Sequence, residues 1–110
     1  MTDGRVQRLL EDLARIGAEA DYLVGKGRTA YLAETMDGAV LRNTGERILM
    51  KAAIVAEKLP DDYKDRHAGV DWAGINRMRN LEAHDDKVND DLLWQALTVR
   101  IPALLTELGL

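Results

Sequence analysis

The chain has 110 residues, of which 46% are hydrophobic, 31% charged and 5% aromatic, and its formal net charge is -4. It has no cysteine, which excludes disulfides, thiolate metal sites and a cysteine nucleophile, and its two histidines cannot form a three-histidine zinc site. The length suits one helical core, so we predict a single domain over residues 1–110. No apolar run approaches the roughly 20 residues of a membrane span, and the N-terminus lacks a signal peptide's apolar stretch. We therefore expect a soluble, cytoplasmic protein without membrane association.

The first predicted helix covers residues 5–24, where apolar residues recur at helical spacing and charged residues occupy the other side. Thr2 or Asp3 can cap its start, and Gly25 can end it. After the Gly25–Gly27 break, Thr29 is predicted to cap a short helix. The apolar residues of this short helix are Tyr31, Leu32 and Met36.

The next predicted helix covers residues 38–59, with Asp37 as its cap and Pro60 as its stop. Gly45 lowers the helix propensity of this segment, which predicts a kink or a close contact with another helix at this position. Arg42 and Arg47 are predicted to face solvent or a partner. The apolar residues expected to face the core are Val40, Leu41, Ile48, Leu49, Ala52, Ala53, Val55, Ala56 and Leu59.

The remaining chain predicts two further helices after a loop or irregular turn at 60–71. Asp71 should cap the first of them, which ends near 84–87, and Asn89 or Asp90 should cap the last one. Pro102 lies inside this last helix and should kink it. Apolar positions in these helices include Trp72, Ile75, Met78, Leu81, Ala83 and Trp94, and both tryptophans are predicted to be core residues. The whole pattern indicates an all-α, antiparallel four- to five-helix up-and-down bundle.

Chemically capable side chains crowd into one short segment, where Arg79, Asn80 and His84 lie within six positions. Histidine can transfer protons near neutral pH, arginine can hold two phosphate oxygens, and asparagine can orient either, which suits phosphodiester cleavage without a metal. Arg79 and His84 diverge by about 140° on an ideal helix. They converge only if the helix ends before His84 or if a second chain completes the site. Spacing alone favours a structural role, in which Arg79 pairs with Glu82 or Asp85.

Other candidate groups carry weaker signals. His67 lies in a predicted loop and is expected to be structural or solvated. The paired aspartates show no metal-ligand spacing, and the sequence has no glycine-rich phosphate loop or zinc motif. We therefore predict no cofactor and no metal site. Because the chain is net acidic, any RNA contact must use a local site or a surface made by two chains.

The Arg79–His84 segment belongs to an ordered set of residues that extends over nearly the whole chain. With this set the chain resembles the HEPN superfamily, specifically its HepT-like toxin branch, whose hallmark is an Arg followed after about four to six residues by a His, with a polar residue directly after the Arg. Arg79, Asn80 and His84 match that hallmark. The other matching positions are Ala39–Arg42, Lys58–Pro60, Arg66, His67, Trp72, Ile75, Met78, Trp94 and Pro102.

The resemblance implies an all-α bundle that forms a homodimer, in which two Arg–His motifs meet in one cleft. It implies a metal-independent endoribonuclease that acts on RNA as the toxin of a toxin–antitoxin pair. The antitoxin partner would be a minimal nucleotidyltransferase, which in some pairs adenylylates a Tyr two residues after the His. That position is Asp86 here, so no adenylylation is expected there.

A second interpretation belongs to a different class of protein. The chain could be a non-catalytic HEPN-like helical module that dimerises or binds a nucleotide and partners a nucleotidyltransferase. The carboxylates of Glu82, Asp85 and Asp86 favour this interpretation, because negative charge beside the motif weakens RNA binding. An RNA cleavage assay separates the two.

Overall fold

The computed structural model describes residues 3–79 and 87–110, and for residues 87–89 it describes the backbone alone. Within these ranges the chain is all α-helical and has no strand, which confirms the predicted fold class. The α-helices are α1 Gly4–Val24, α2 Arg28–Leu32, α3 Met36–Lys58, α4 Asp61–Arg66, α5 Trp72–Arg77, α6 Lys87–Gln95 and α7 Ile101–Glu107.

Helix α1 forms where its apolar spacing predicts. Asp3 is the cap, and its Oδ1 accepts a hydrogen bond from the Val6 backbone N–H at 2.9 Å. The alternative cap, Thr2, lies outside the described residues. The helix ends at Gly25 as predicted, and its buried positions are Val6, Leu9, Leu13, Ile16, Gly17, Ala20 and Leu23.

The predicted starts of the next two helices were wrong. Helix α2 begins after Gly27, whose φ of 92° is a conformation that favours glycine, and Thr29 lies within the helix. Helix α3 is capped by Thr35, whose Oγ1 accepts from the Gly38 N–H at 3.0 Å. Asp37 lies in the first turn instead, where a carboxylate favours the positive end of the helix dipole. At the other end, α3 stops before Pro60 as predicted.

Arg42 does not face solvent or a partner as predicted. Its Nη1 donates to the carbonyls of Tyr31 at 2.9 Å and Ala33 at 2.8 Å, and the side chain is largely buried. The last carbonyls of a helix have no donor within that helix. Arg42 therefore holds the end of α2 against α3. Arg47, by contrast, is exposed as predicted.

The segment predicted as a loop contains helix α4, whose first turn carries Asp61 and Asp62. These carboxylates stabilise a helix start, so a short helix forms even without a long apolar pattern. Asp71 caps α5 as predicted, accepting from the Gly74 N–H at 2.9 Å. A 3₁₀ turn then continues through Met78 and Arg79. The predicted continuation, with Leu81 and Ala83, lies outside the described residues.

The C-terminal part differs from its prediction in two places. Asn89 and Asp90 lie inside α6, so neither caps it. Between α6 and α7, residues 96–100 form a π-helical turn that ends two positions before Pro102. Proline cannot donate to the carbonyl four residues earlier, and the wider turn accommodates that missing hydrogen bond. The predicted distortion is thus a π-turn.

The core lies between α1, α3 and the C-terminal helices, and Leu13, Leu49, Met78, Leu93 and Leu97 are among its most buried members. Trp72 and Trp94 were predicted to be core residues, but both are partly buried at its edge. In the part of the chain that is described, no helix combines the length and the apolar character needed to cross a membrane.

Gly45 lies where α3 packs closely against its neighbours. A Cβ atom at this position would lie 2.9 Å from Leu97 Cδ1 and 2.9 Å from Tyr31 Oη. These distances are shorter than ordinary van der Waals contact, so a larger residue would force the neighbours to shift. The predicted close helix contact at Gly45 is confirmed.

Two residues predicted to face the core from α3 lie at its edge instead. Val40 is 55% exposed, and Leu41 is only partly buried. Helical spacing identifies an apolar face but does not show whether a neighbour covers it. The N-terminal half of α3 therefore presents apolar side chains that the rest of the described chain leaves accessible.

Candidate active site

The predicted site residue that the structure describes is Arg79, at the end of the 3₁₀ turn after α5. Its Nη1 donates a hydrogen bond of 2.5 Å to Oε2 of Glu57, which lies in the last turn of α3. The expected partners for a structural role, Glu82 and Asp85, lie outside the described residues. A residue 22 positions earlier therefore orients Arg79, and no spacing signal in the sequence indicated it.

The Arg79–Glu57 pair keeps the guanidinium available to a ligand. The two side chains are 43% and 58% exposed, and a guanidinium carries five N–H donors. The described bond to Glu57 uses one donor, so the others can reach the paired oxygens of a phosphate. Glu57 fixes the direction of the group at the cost of some of its positive potential.

A recess of about 330 Å³ lies beside this pair. Glu57, Lys64, Trp72 and Asn76 line it, together with small side chains of α3 and α5. The Trp72 Nε1–H donates to the carbonyls of Lys64 at 3.2 Å and His67 at 3.1 Å. These bonds hold the indole at the edge of the core, which explains why Trp72 is only partly buried. The recess thus brings an aromatic ring, an amide and a cation together with the carboxylate of Glu57, the residue that Arg79 contacts.

His67 does not belong to this site. Its Nδ1 lies 3.0 Å from the Tyr63 carbonyl oxygen, to which it donates, and the two rings stack with centroids 4.4 Å apart. Burial raises the pKa of Tyr63. Of the two roles expected for His67, structural or solvated, these contacts favour the structural one.

The other predicted site residues, Asn80 and His84, lie outside the described residues, as does Asp86. Their convergence with Arg79 stays a prediction. Among residues 3–79 and 87–110, no group of three or more His, Asp or Glu side chains is arranged to hold a metal ion.

Tyr31 is a buried polar group away from the candidate site. Its ring lies 5.0 Å from that of Trp94, and its hydroxyl has no hydrogen-bond partner among the described residues. Burial raises the pKa of Tyr31, and the carboxylates of Asp90 and Glu46 raise it further, whereas Arg42 lowers it. The hydroxyl therefore stays protonated and acts as part of the packing between α2, α3 and the C-terminal helices.

Comparison with known proteins shows which family this sequence matches. The Ribonuclease HepT-like family matches residues 38–109, a range that includes Glu57, Arg79, Asn80 and His84. A protein of Caldanaerobacter subterraneus subsp. tengcongensis, named "Putative RNase", is 25% identical over 93 residues, which cover 84% of this chain and 83% of that protein. No solved structure matches. The family match extends over well more than half of the chain, and the chain belongs to the HepT-like ribonuclease family.

Proposed function

We propose that the chain is a metal-independent endoribonuclease, the toxin of a toxin–antitoxin pair, and that two copies form its RNA cleavage site. Membership of the HepT-like ribonuclease family supports the reaction class. The observation that carries the proposal is the exposed guanidinium of Arg79, which Glu57 holds in a fixed direction beside a polar recess. A phosphodiester is the ligand that such a forked cation fits best.

In the proposed reaction, His84 takes the proton from a ribose 2′-hydroxyl, whose oxygen then attacks the adjacent phosphorus. The bond from phosphorus to the 5′-oxygen breaks, and a protonated histidine returns a proton to that oxygen. The products are a 2′,3′-cyclic phosphate and a 5′-hydroxyl, so no water, metal or cofactor is consumed. Arg79 stabilises the negative charge that grows on the phosphoryl oxygens, and Asn80 orients the imidazole or the phosphate.

We propose a homodimer because one copy of the motif has too few proton-transfer groups for the reaction. Cleavage needs a base and an acid, whereas each chain offers one candidate histidine in the motif. A two-fold axis beside residues 79–84 would bring two copies of His84 together. We expect light scattering to show a dimer at micromolar concentration, and a monomer would contradict the composite site.

The proposed partner is a minimal nucleotidyltransferase that acts as the antitoxin in the cytoplasm. Asp86 stands where some relatives of this type carry a modified Tyr, and a carboxylate cannot accept the nucleotide as a phenol does. We therefore expect this partner to neutralise the toxin by binding it. Co-expression should restore growth without any mass increase on this chain, and an added nucleotide mass would contradict this point.

RNA cleavage in EDTA tests the proposed activity directly. The wild type should cut, and His84→Ala should lose about 10²–10⁴ in rate, as is typical for a lost general acid or base. His67→Ala is the matched control, since it removes the other histidine of the chain, and it should keep its activity if it stays folded. If the wild type does not cut RNA, the non-catalytic dimerisation or nucleotide-binding module replaces the nuclease.

A further inference from the structure

A long groove lies between α1 and α3, away from the candidate active site. Its volume is about 890 Å³, and its floor is apolar, with Leu23, Leu41 and Ile48 among its residues. Two large apolar side chains at its edges are exposed, Tyr22 to 71% and Val40 to 55%. Exposed apolar side chains that meet along one groove are typical of a surface that binds another protein.

The rim of this groove is basic, although the chain as a whole is acidic. Arg15, Lys26, Arg47 and Lys51 line it, against a single carboxylate, Glu19. Glu19 is already paired with Lys51 at 2.6 Å. Lys26 contacts the Tyr22 hydroxyl and Arg47 contacts the Met50 sulfur, so in the described part of the chain neither is paired with a carboxylate.

We infer that the α1–α3 groove binds an amphipathic helix of a partner protein, with apolar residues along one face and acidic residues on its flanks. The groove is lined by residues 15–26, which belong to α1 and the turn after it, and by α3 residues from 40 to 51. The α3 stripe is about 17 Å long, which corresponds to about three turns of a bound helix. Apolar residues at i, i+3 or i+4, and i+7 would reach the floor, while Asp or Glu on the flanks would meet Lys26 and Arg47.

The charges favour an acidic partner over a second copy of this chain. Arg15 is paired with Asp12 and Lys51 with Glu19, so Lys26 and Arg47 are the rim cations that a partner would meet. A second copy of this chain would bring another basic rim to them instead of carboxylates, and like charges at an interface oppose association. The apolar floor likewise favours a protein over RNA, because a phosphate backbone gains nothing from Leu41 or Ile48. The inference does not depend on RNA cleavage, since Arg79, the proposed cleavage residue that the structure describes, does not line the groove.

A displayed library of 16-residue, helix-favouring random peptides tests this inference on the full-length protein. Enriched peptides should combine apolar residues at helical spacing with an excess of Asp and Glu. The double variant Lys26→Glu/Arg47→Glu should weaken their binding at least about tenfold, because it reverses both unpaired charges. Val40→Asp should also weaken it, since an exposed position tolerates the change without unfolding.

Arg5→Glu/Arg8→Glu is the matched control, because it makes the same change in net charge on exposed α1 residues outside the groove. It should bind the peptides as the wild type does. Enriched peptides without an acidic excess, or equal binding by both double variants, would overturn the inference. Two further results would also overturn it. One is a wild-type dimer that Val40→Asp dissociates, which would assign the groove to a second copy of this chain. The other is binding of single-stranded RNA that Lys26→Glu/Arg47→Glu abolishes and Val40→Asp leaves unchanged, which would assign it to RNA.

Discussion

Replacing Arg79 with Ala should remove catalysis and leave folding almost intact. The described contact of the guanidinium is the bond to Glu57, and both side chains are about half exposed. Exposed ion pairs contribute about 0.2–1 kcal/mol to stability, so the free energy of unfolding should fall by about 1 kcal/mol or less. For a chain of this size, that corresponds to a Tm decrease of about 3–6 °C.

The effect on RNA cleavage should be much larger. A donor that stabilises the charge of the transition state typically contributes a factor of about 10²–10³ to the rate. Arg79→Lys should recover only part of this loss, because an ammonium group keeps the charge but lacks the two-pronged fork. The ratio of the Lys and Ala rates therefore separates the contribution of charge from that of geometry.

Single-turnover cleavage in EDTA, together with thermal unfolding of the same samples, measures both effects. Arg28→Ala is the control, because Arg28 forms a similarly exposed ion pair of 2.7 Å with Asp91, which lies on a helix far away in the sequence. It should show the same small decrease in Tm and no loss of rate. If Arg79→Ala cuts RNA at the wild-type rate, or if it does not fold, the role assigned to Arg79 is wrong.

Three other substitutions test the packing, and one tests Glu57. Tyr31→Phe should raise the free energy of unfolding in urea by about 1 kcal/mol, because it removes a buried hydroxyl without a described partner; a loss of stability would contradict this. Arg42→Ala should cost about 1.5–3 kcal/mol in the same assay, because it leaves two carbonyls without their charged donor. Gly45→Ala should cost up to about 2 kcal/mol, since crowding against Leu97 exceeds the gain in helix propensity, and a more stable variant would contradict this. Glu57→Gln should lower the KM for RNA by up to about fivefold, because it removes a negative charge near the phosphate. It should also lower kcat, because Arg79 loses its orienting partner. If both values are unchanged, Glu57 does not belong to the site.

The parts of the fold that the sequence predicted well depend on local interactions. Asp3 and Asp71 cap their helices through a backbone N–H three residues ahead, and Pro60 acts on the residue directly before it. Such contacts are specified by a few adjacent residues, whatever the rest of the chain does. The start of α3 shows the limit of this reasoning, because two residues able to cap, Thr35 and Asp37, lie two positions apart and local preference does not choose between them.

The parts that were predicted wrongly depend on contacts between distant segments. Arg42 is held by carbonyls of α2, and Val40 is exposed because no described element covers its side of α3. Helical spacing places both residues on faces of a helix, yet it carries no information about what lies opposite each face. The same reason explains why Glu57 was missed as the partner of Arg79. The motif drew attention to Arg79, but it could not predict the contact with Glu57 that supports this residue.

The candidate active site and the α1–α3 groove use separate parts of helix α3, so the two proposals can be tested independently. Glu57, which orients Arg79, lies near its C-terminus, whereas Val40 and Arg47 belong to the groove in its N-terminal half. Arg47, the α3 charge that the groove variant reverses, and Glu57 are about 15 Å apart along the helix axis, more than the roughly 8 Å over which surface charges act on each other at physiological salt. A groove variant should therefore lose its partner helix and keep full RNA cleavage, and an Arg79 variant should show the reverse. If binding at the groove nevertheless inhibited cleavage, the effect would have to pass through a shift of α3 itself, because its rigid backbone is the element that both surfaces share.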